Sequence, residues 1–260
     1  MLKEEREAVK ESYAGIEDGD VFFFYRPKTD NPESAHDIQS LQLVLHPLAS
    51  RKFRLLILDT AVMPQRTETF NEITGRVDCV TDKEMVIRNR LKERFGETRG
   101  IATLEKPYSR ICAEGVYSLV PHNNRMYLVY LLELPALPGN AQQVLGIRRE
   151  DEFLVGVYNP LFGKSEEDLE REEVGAEEPR YPDQLQKTFN RGHITYDVHP
   201  ELLDYENARF GLFRRGSKEA RTHAADVGPM WEDFDTADIF RKLEMRKERI
   251  PIVSILEDLR

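Results

Sequence analysis

The segment His193-Ile194-Thr195-Tyr196-Asp197-Val198-His199 carries two imidazoles and a carboxylate at even spacing. In an extended strand alternate side chains share a face, so His193, Thr195, Asp197 and His199 are expected on one side and Ile194, Tyr196 and Val198 on the other, toward the core. Such a set can ligate a divalent metal, or the carboxylate can orient an imidazole for proton transfer. Glu201, Asp204 or His122 would complete the site. This reading makes the chain a metal-assisted or acid-base enzyme, hydrolase-like, with His193, Asp197 and His199 as catalytic or metal-binding residues. The competing reading is structural. A polar strand face is ordinarily wetted by solvent, and His199-Pro200 has a counterpart in His46-Pro47, where Leu43, Val44 and Leu45 leave no ligand set. A histidine at matching strand ends is explained more simply as part of a turn.

Other signatures are weaker. Gly163-Lys164-Ser165 resembles the end of a phosphate-binding loop, but the glycine required five positions earlier is Tyr158, and Glu166 and Glu167 follow where an anion would sit. Arg88, Arg90, Lys92 and Arg94, then Arg148 and Arg149, then Arg214 and Arg215 form basic clusters. No aromatic stacking motif interleaves with them, so they read as partners for nearby carboxylates or as steering charges for an acidic partner. No Gly-x-Ser-x-Gly elbow, His-Glu-x-x-His helix or dinucleotide glycine fingerprint occurs.

Composition narrows the classes further. The 260 residues include 47 acidic and 37 basic side chains, a formal charge of -10, which repels a phosphate backbone and disfavours nucleic-acid binding. The charged N-terminus does not fit a signal peptide, and no apolar run approaches the roughly 20 residues that span a bilayer. A cytoplasmic location without membrane attachment is therefore expected. Cys79 and Cys112 are too few for a disulfide framework and read as reduced core thiols.

A three-part pattern that occurs twice organises the chain. Phe22-Phe23-Phe24-Tyr25-Arg26-Pro27, Leu43 to Pro47 and Phe53-Arg54-Leu55-Leu56 are followed, in the same order, by Val155-Gly156-Val157-Tyr158-Asn159-Pro160, Tyr196 to Pro200 and Arg209-Phe210-Gly211-Leu212. This predicts an α+β fold built by internal duplication: two similar, mainly antiparallel β units with short packed helices and a C-terminal helical tail. The first unit is expected over 1–138 with an N-terminal helix at 2–13, the second over 139–216 with an acidic insertion at 164–180, and the tail over 217–260. Within them a helix is expected at 82–95 capped by Asp82, a hairpin turning at 121–125, a helix at 140–146, a helix at 182–189 and strands at 193–199 and 208–214. With no reaction motif, the leading functional expectation is a non-catalytic cytoplasmic protein that acts through protein contacts, with a partner or with a second copy as a homodimer, and with no cofactor. A divalent metal belongs to the enzyme alternative.

Overall fold

The computed structural model describes residues 16–29, 31–60, 63, 72–92, 94–98, 101–135, 139–164 and 178–214, with 94–98 and 101–106 as backbone. The expected N-terminal helix, most of the acidic insertion and the C-terminal helical tail lie outside the described residues.

Strands β1 (Glu17–Pro27), β2 (Ile38–Pro47), β3 (Phe53–Leu58) and β4 (Glu72–Thr81) form an antiparallel meander. Helix α1 (Glu84–Leu91) and the hairpin β5 (Arg94–Thr98) and β6 (Ile101–Lys106) lead into β7 (Arg110–His122) and β8 (Arg125–Leu134). After α2 (Asn140–Leu145) come β9 (Glu150–Tyr158), α3 (Asp183–Lys187), the two-residue β10 (Ile194–Thr195), a 3-10 turn at Pro200–Asp204 and β11 (Arg209–Arg214). The sheet runs β1-β2-β3-β4-β11-β9 and continues through β8 and β7 back to β1, so eight antiparallel strands close a barrel and β10 lies on its outside against β9. Closure removes the unpaired edges that an open sheet would present.

The residues explain why the barrel is solid. Val21 and Phe23 of β1, Leu41, Leu43 and Leu45 of β2, Leu128 and Tyr130 of β8, Phe153, Val155 and Val157 of β9, and Phe210 and Leu212 of β11 alternate along their strands and belong to one buried cluster. Each large side chain so buried contributes about 1.5–3 kcal/mol. Leu145 and Ile147 close one end of this cluster, where the Met63 amide donates to the Leu145 carbonyl at 2.7 Å, and Leu202 and Leu203 of the 3-10 turn close the other. Phe22 and Phe24 face outward yet are also buried, because Ile87 and Leu91 of α1 pack over them together with Val44, Phe53, Leu55 and Cys79. A run of four aromatics at Phe22 to Tyr25 is therefore two faces of one strand, each covered.

Two expectations are corrected in detail. The two separate β units are instead one sheet, since β8 pairs with β9 and β11 pairs with β4 across residue 138. The duplicated pattern is not reproduced in the pairing either: the first copy runs β1-β2-β3, whereas in the second Tyr196 to Pro200 lie beyond β10 and form no strand, and only β9 and β11 pair. The helix expected at 82–95 stops at Leu91; Lys83 rather than Asp82 precedes it, Met85 is exposed, and β5 occupies the last predicted turn. The reason lies on β1. Arg26 donates to the carbonyls of Arg90 at 2.9 Å and Pro107 at 2.6 Å, binding the helix C-terminus where carbonyls lack intrahelical partners.

Other elements match. The β7–β8 hairpin turns through Asn123 and Asn124 at φ 50° and 59°, the left-handed pair that a two-residue turn demands. Helix α2 ends at Gly146 with φ 68°, where a Cβ would lie 2.3 Å from the Met63 carbonyl oxygen. No described helix is long and apolar enough to cross a membrane.

Candidate functional site

The described interior side chains form one buried apolar cluster, and the charged groups stand at the ends of the barrel and on its wall. At the end closed by the 3-10 turn, the Arg54 guanidinium is buried and meets two carboxylates. Its Nη2 donates to Glu17 Oε2 at 2.9 Å and its Nε to Asp204 Oδ1 at 2.7 Å, while Lys52 reaches Asp204 Oδ2 at 3.0 Å. The Tyr117 hydroxyl donates to Glu17 Oε1 at 2.8 Å. Burial opposes the charge on Arg54, but Glu17 and Asp204 hold it protonated above its ordinary range. Burial, and then the neighbouring Glu17, push the Tyr117 hydroxyl up. Every charge in this group has an opposite charge beside it.

At the other end Arg214 and Asp151, both buried, stand 2.6 Å apart, with the guanidinium over the Phe153 ring. Burial pushes the Asp151 carboxyl up against the pull of Arg214. The basic cluster at Arg214 is thus a core contact. Likewise Arg88 pairs with Glu84 at 2.6 Å and Arg90 with Asp78 at 3.7 Å, in keeping with the expected pairing of basic clusters with carboxylates.

The wall is different where β9, β11 and β4 run side by side. Gly156 and Gly211 are paired across β9 and β11. A Cβ on Gly156 would meet Ile194 and Tyr196 at 2.5 and 2.8 Å, so the missing side chain is what lets the β10 segment lie on the wall. A Cβ on Gly211 would meet the Phe213 ring at 2.8 Å and Glu72 Oε1 at 3.2 Å. Beyond these glycines opens a cleft of about 490 Å³ bordered by Asp59, Arg76, Tyr158, Phe162, Lys164, Glu178, His193 and Arg209.

Register brings its two arginines together. Arg209 of β11 is paired with Arg76 of β4, and both are exposed. Such partners in an antiparallel pair lie about 4.5–5.5 Å apart at Cα with side chains on the same face. Neither arginine forms an ion pair with a carboxylate among the described residues; Arg209 instead lies over the Tyr158 ring, 5.8 Å from its centroid. The Tyr158 hydroxyl donates to Glu72, and burial followed by that bond pushes its pKa up. Asp59 accepts from Thr74 at 2.8 Å, and Lys164 pairs with Glu178.

One residue holds the rim. The Asn159 side chain donates to the Gly192 carbonyl at 2.9 Å and accepts from the Leu161 amide at 3.0 Å and Gln186 Nε2 at 2.9 Å. It thereby ties the 160–164 loop, α3 and the start of β10 into one frame. On that frame the His193 ring sits 4.8 Å from Phe162 and 5.2 Å from Tyr158, forming an aromatic shelf beside the arginines.

Of the His, Asp and Glu residues that the sequence singled out for a metal or acid-base site, only His193 borders this cleft; Lys164 of the phosphate-loop-like Gly163-Lys164-Ser165 borders it too, paired with Glu178. The expected strand at 193–199 is limited to Ile194–Thr195, and Thr195 and Tyr196 are both buried, so alternation stops there and the common face is not formed. Asp197 lies in the bend beyond, where its carbonyl accepts the His199 amide at 2.9 Å. His199 Nδ1 is 3.1 Å from Glu201 Oε1. Asp204 belongs to the Arg54 group and His122 to the hairpin tip beside Asn123. Among the described residues no three His, Cys, Asp or Glu side chains are placed to hold a metal ion. The two His-Pro pairs also differ, for His46 stacks on Phe53 at 4.3 Å and approaches Asp20 at 3.5 Å. The sequence marks Arg209 only as part of a repeated strand pattern and gives Arg76 no chemical role; Gly156 and Gly211 within strand patterns are its one signal of a close approach here.

Fold and site together define a side-chain-filled antiparallel barrel with a cationic and aromatic cleft on its outer wall. Compared with models of known protein families, with curated proteins and with solved structures, the chain matches none.

Proposed function

We propose that this protein is a non-catalytic cytoplasmic binding module that uses the wall cleft to hold an acidic segment of a protein partner. The observation that carries this reading is the Arg76–Arg209 pair. Like charges directly opposite on neighbouring strands oppose folding, and this chain has 47 carboxylate side chains against 37 basic ones with which to neutralise them. Two arginines paired by register without a carboxylate partner among the described residues suit an anion brought by a partner. A filled barrel supports a scaffold role, and the buried free thiols of Cys79 and Cys112 fit a reducing compartment. Burial pushes the Cys112 thiol up to about 12, so it is no nucleophile.

The test is binding of a fluorescent oligoglutamate peptide at low salt to the full chain and to the Arg76→Glu/Arg209→Glu variant. Because the protein itself carries a charge of -10, non-specific attraction works against the peptide. Saturable, salt-sensitive binding that the variant lacks is expected. Absence of binding, or equal binding by a folded variant, would overturn the reading.

A further inference from the structure

We infer that the wall cleft is built for a phosphorylated side chain of the partner, and specifically for phosphotyrosine. This rests on the reading of the cleft as a protein-binding site and adds the chemistry of the ligand. The count of charges comes first. A partner carboxylate brings one negative charge and two oxygens, which one guanidinium fork satisfies. A phosphomonoester brings about -1.5 to -2 charges near neutral pH and three acceptor oxygens, matching two forks side by side. Strand register sets Arg76 and Arg209 opposite each other on one face of the wall, so both long side chains can turn to the same ligand.

Preorganisation comes second. Arg209 rests on the Tyr158 ring, whose hydroxyl is itself held by Glu72, so part of the ordering that a bound phosphate requires is already in place. Lys164 is occupied by Glu178, which leaves the arginines as the anion's partners.

The shelf decides which phosphate. Phe162 is 53 % exposed at the rim and packs against His193, which packs in turn against Tyr158. A large aromatic ring left in water at the rim of a cleft with two arginines that meet no described carboxylate suits a ligand whose phosphate is attached to a flat ring. An aryl phosphate can place its ring against Phe162 and His193 while its oxygens reach the arginines. The methylene of phosphoserine offers no ring for Phe162 and His193 to stack on.

Three peptides that differ at one position, carrying phosphotyrosine, phosphoserine or glutamate, separate the possibilities when titrated against the full chain by calorimetry. Phosphotyrosine is expected to bind at least about tenfold more tightly than either of the others. Phe162→Ala should bring the phosphotyrosine and phosphoserine affinities closer together, and Arg76→Gln should weaken both phosphopeptides. Circular dichroism confirms that each variant is folded. Equal affinity for phosphotyrosine and glutamate would overturn the phosphate inference and leave the acidic-segment reading standing. Equal affinity for the two phosphopeptides would overturn the phosphotyrosine assignment. If no peptide binds, the inference and the reading beneath it both fall.

Discussion

Arg54 and the Arg76–Arg209 pair occupy the same barrel and follow opposite rules. Arg54 is buried, and Glu17 and Asp204 meet it at hydrogen-bond distance. Arg76 and Arg209 are exposed, are register partners on adjacent strands and meet no described carboxylate. A charge taken out of water must be matched inside the molecule, because its desolvation is otherwise uncompensated. A charge left in water can remain unmatched at small cost, and so can be kept for a ligand. Pairing thus marks Arg54 as part of the framework, whereas the lack of a carboxylate partner among the described residues marks the other two as available.

Removal of the buried cation should have the largest effect. Arg54→Met would leave Glu17 and Asp204 mostly buried without their guanidinium, and about 3–5 kcal/mol of stability should be lost in urea unfolding. Against a total stability of about 5–15 kcal/mol this is a large fraction. Replacing Glu17 and Asp204 by Gln and Asn in the same chain should restore part of it, since no carboxylate is then stranded. A loss below about 1 kcal/mol would place Arg54 with ordinary surface charges.

Local pattern made the strands, the Asn123-Asn124 turn and the Gly146 stop legible in the sequence, because each depends on residues a few positions apart. Pairing was not legible. Nothing near Phe153 says that β9 will join β8 on one side and β11 on the other, and barrel closure is a property of the whole set of strands. The same limit hid the cleft, since Arg76 and Arg209 become neighbours only through the β4–β11 register. It also hid the helix end at Leu91, which is set by Arg26 from a distant strand. His193 was legible as a chemically capable residue but with the wrong companions: Tyr158 and Phe162 surround it instead of Asp197 and His199.

A subtler cut sharpens the framework side. Tyr117→Phe keeps the buried ring and removes only the hydroxyl that donates to Glu17 at 2.8 Å. Arg54 still neutralises that carboxylate, so the loss should be about 1 kcal/mol, the net worth of one hydrogen bond, read as a lower midpoint with an unchanged urea slope. A loss as large as that of Arg54→Met would mean that the hydroxyl and not the guanidinium holds Glu17 in place.

The smallest effect has the opposite sign and separates the two regions most cleanly. Arg76→Gln relieves repulsion from Arg209 without uncovering any apolar surface, because the side chain is exposed and no described carboxylate depends on it. Stability at low salt should therefore rise, by about 0.2–1 kcal/mol, the range measured for cross-strand charge pairs. Added salt should erase the gain, since screening already weakens the repulsion that the substitution removes. Anion affinity should fall in the same variant. A residue retained for stability would move both quantities downward together, so a clear loss of stability in Arg76→Gln would put this arginine on the same footing as Arg54 and dissolve the contrast between them.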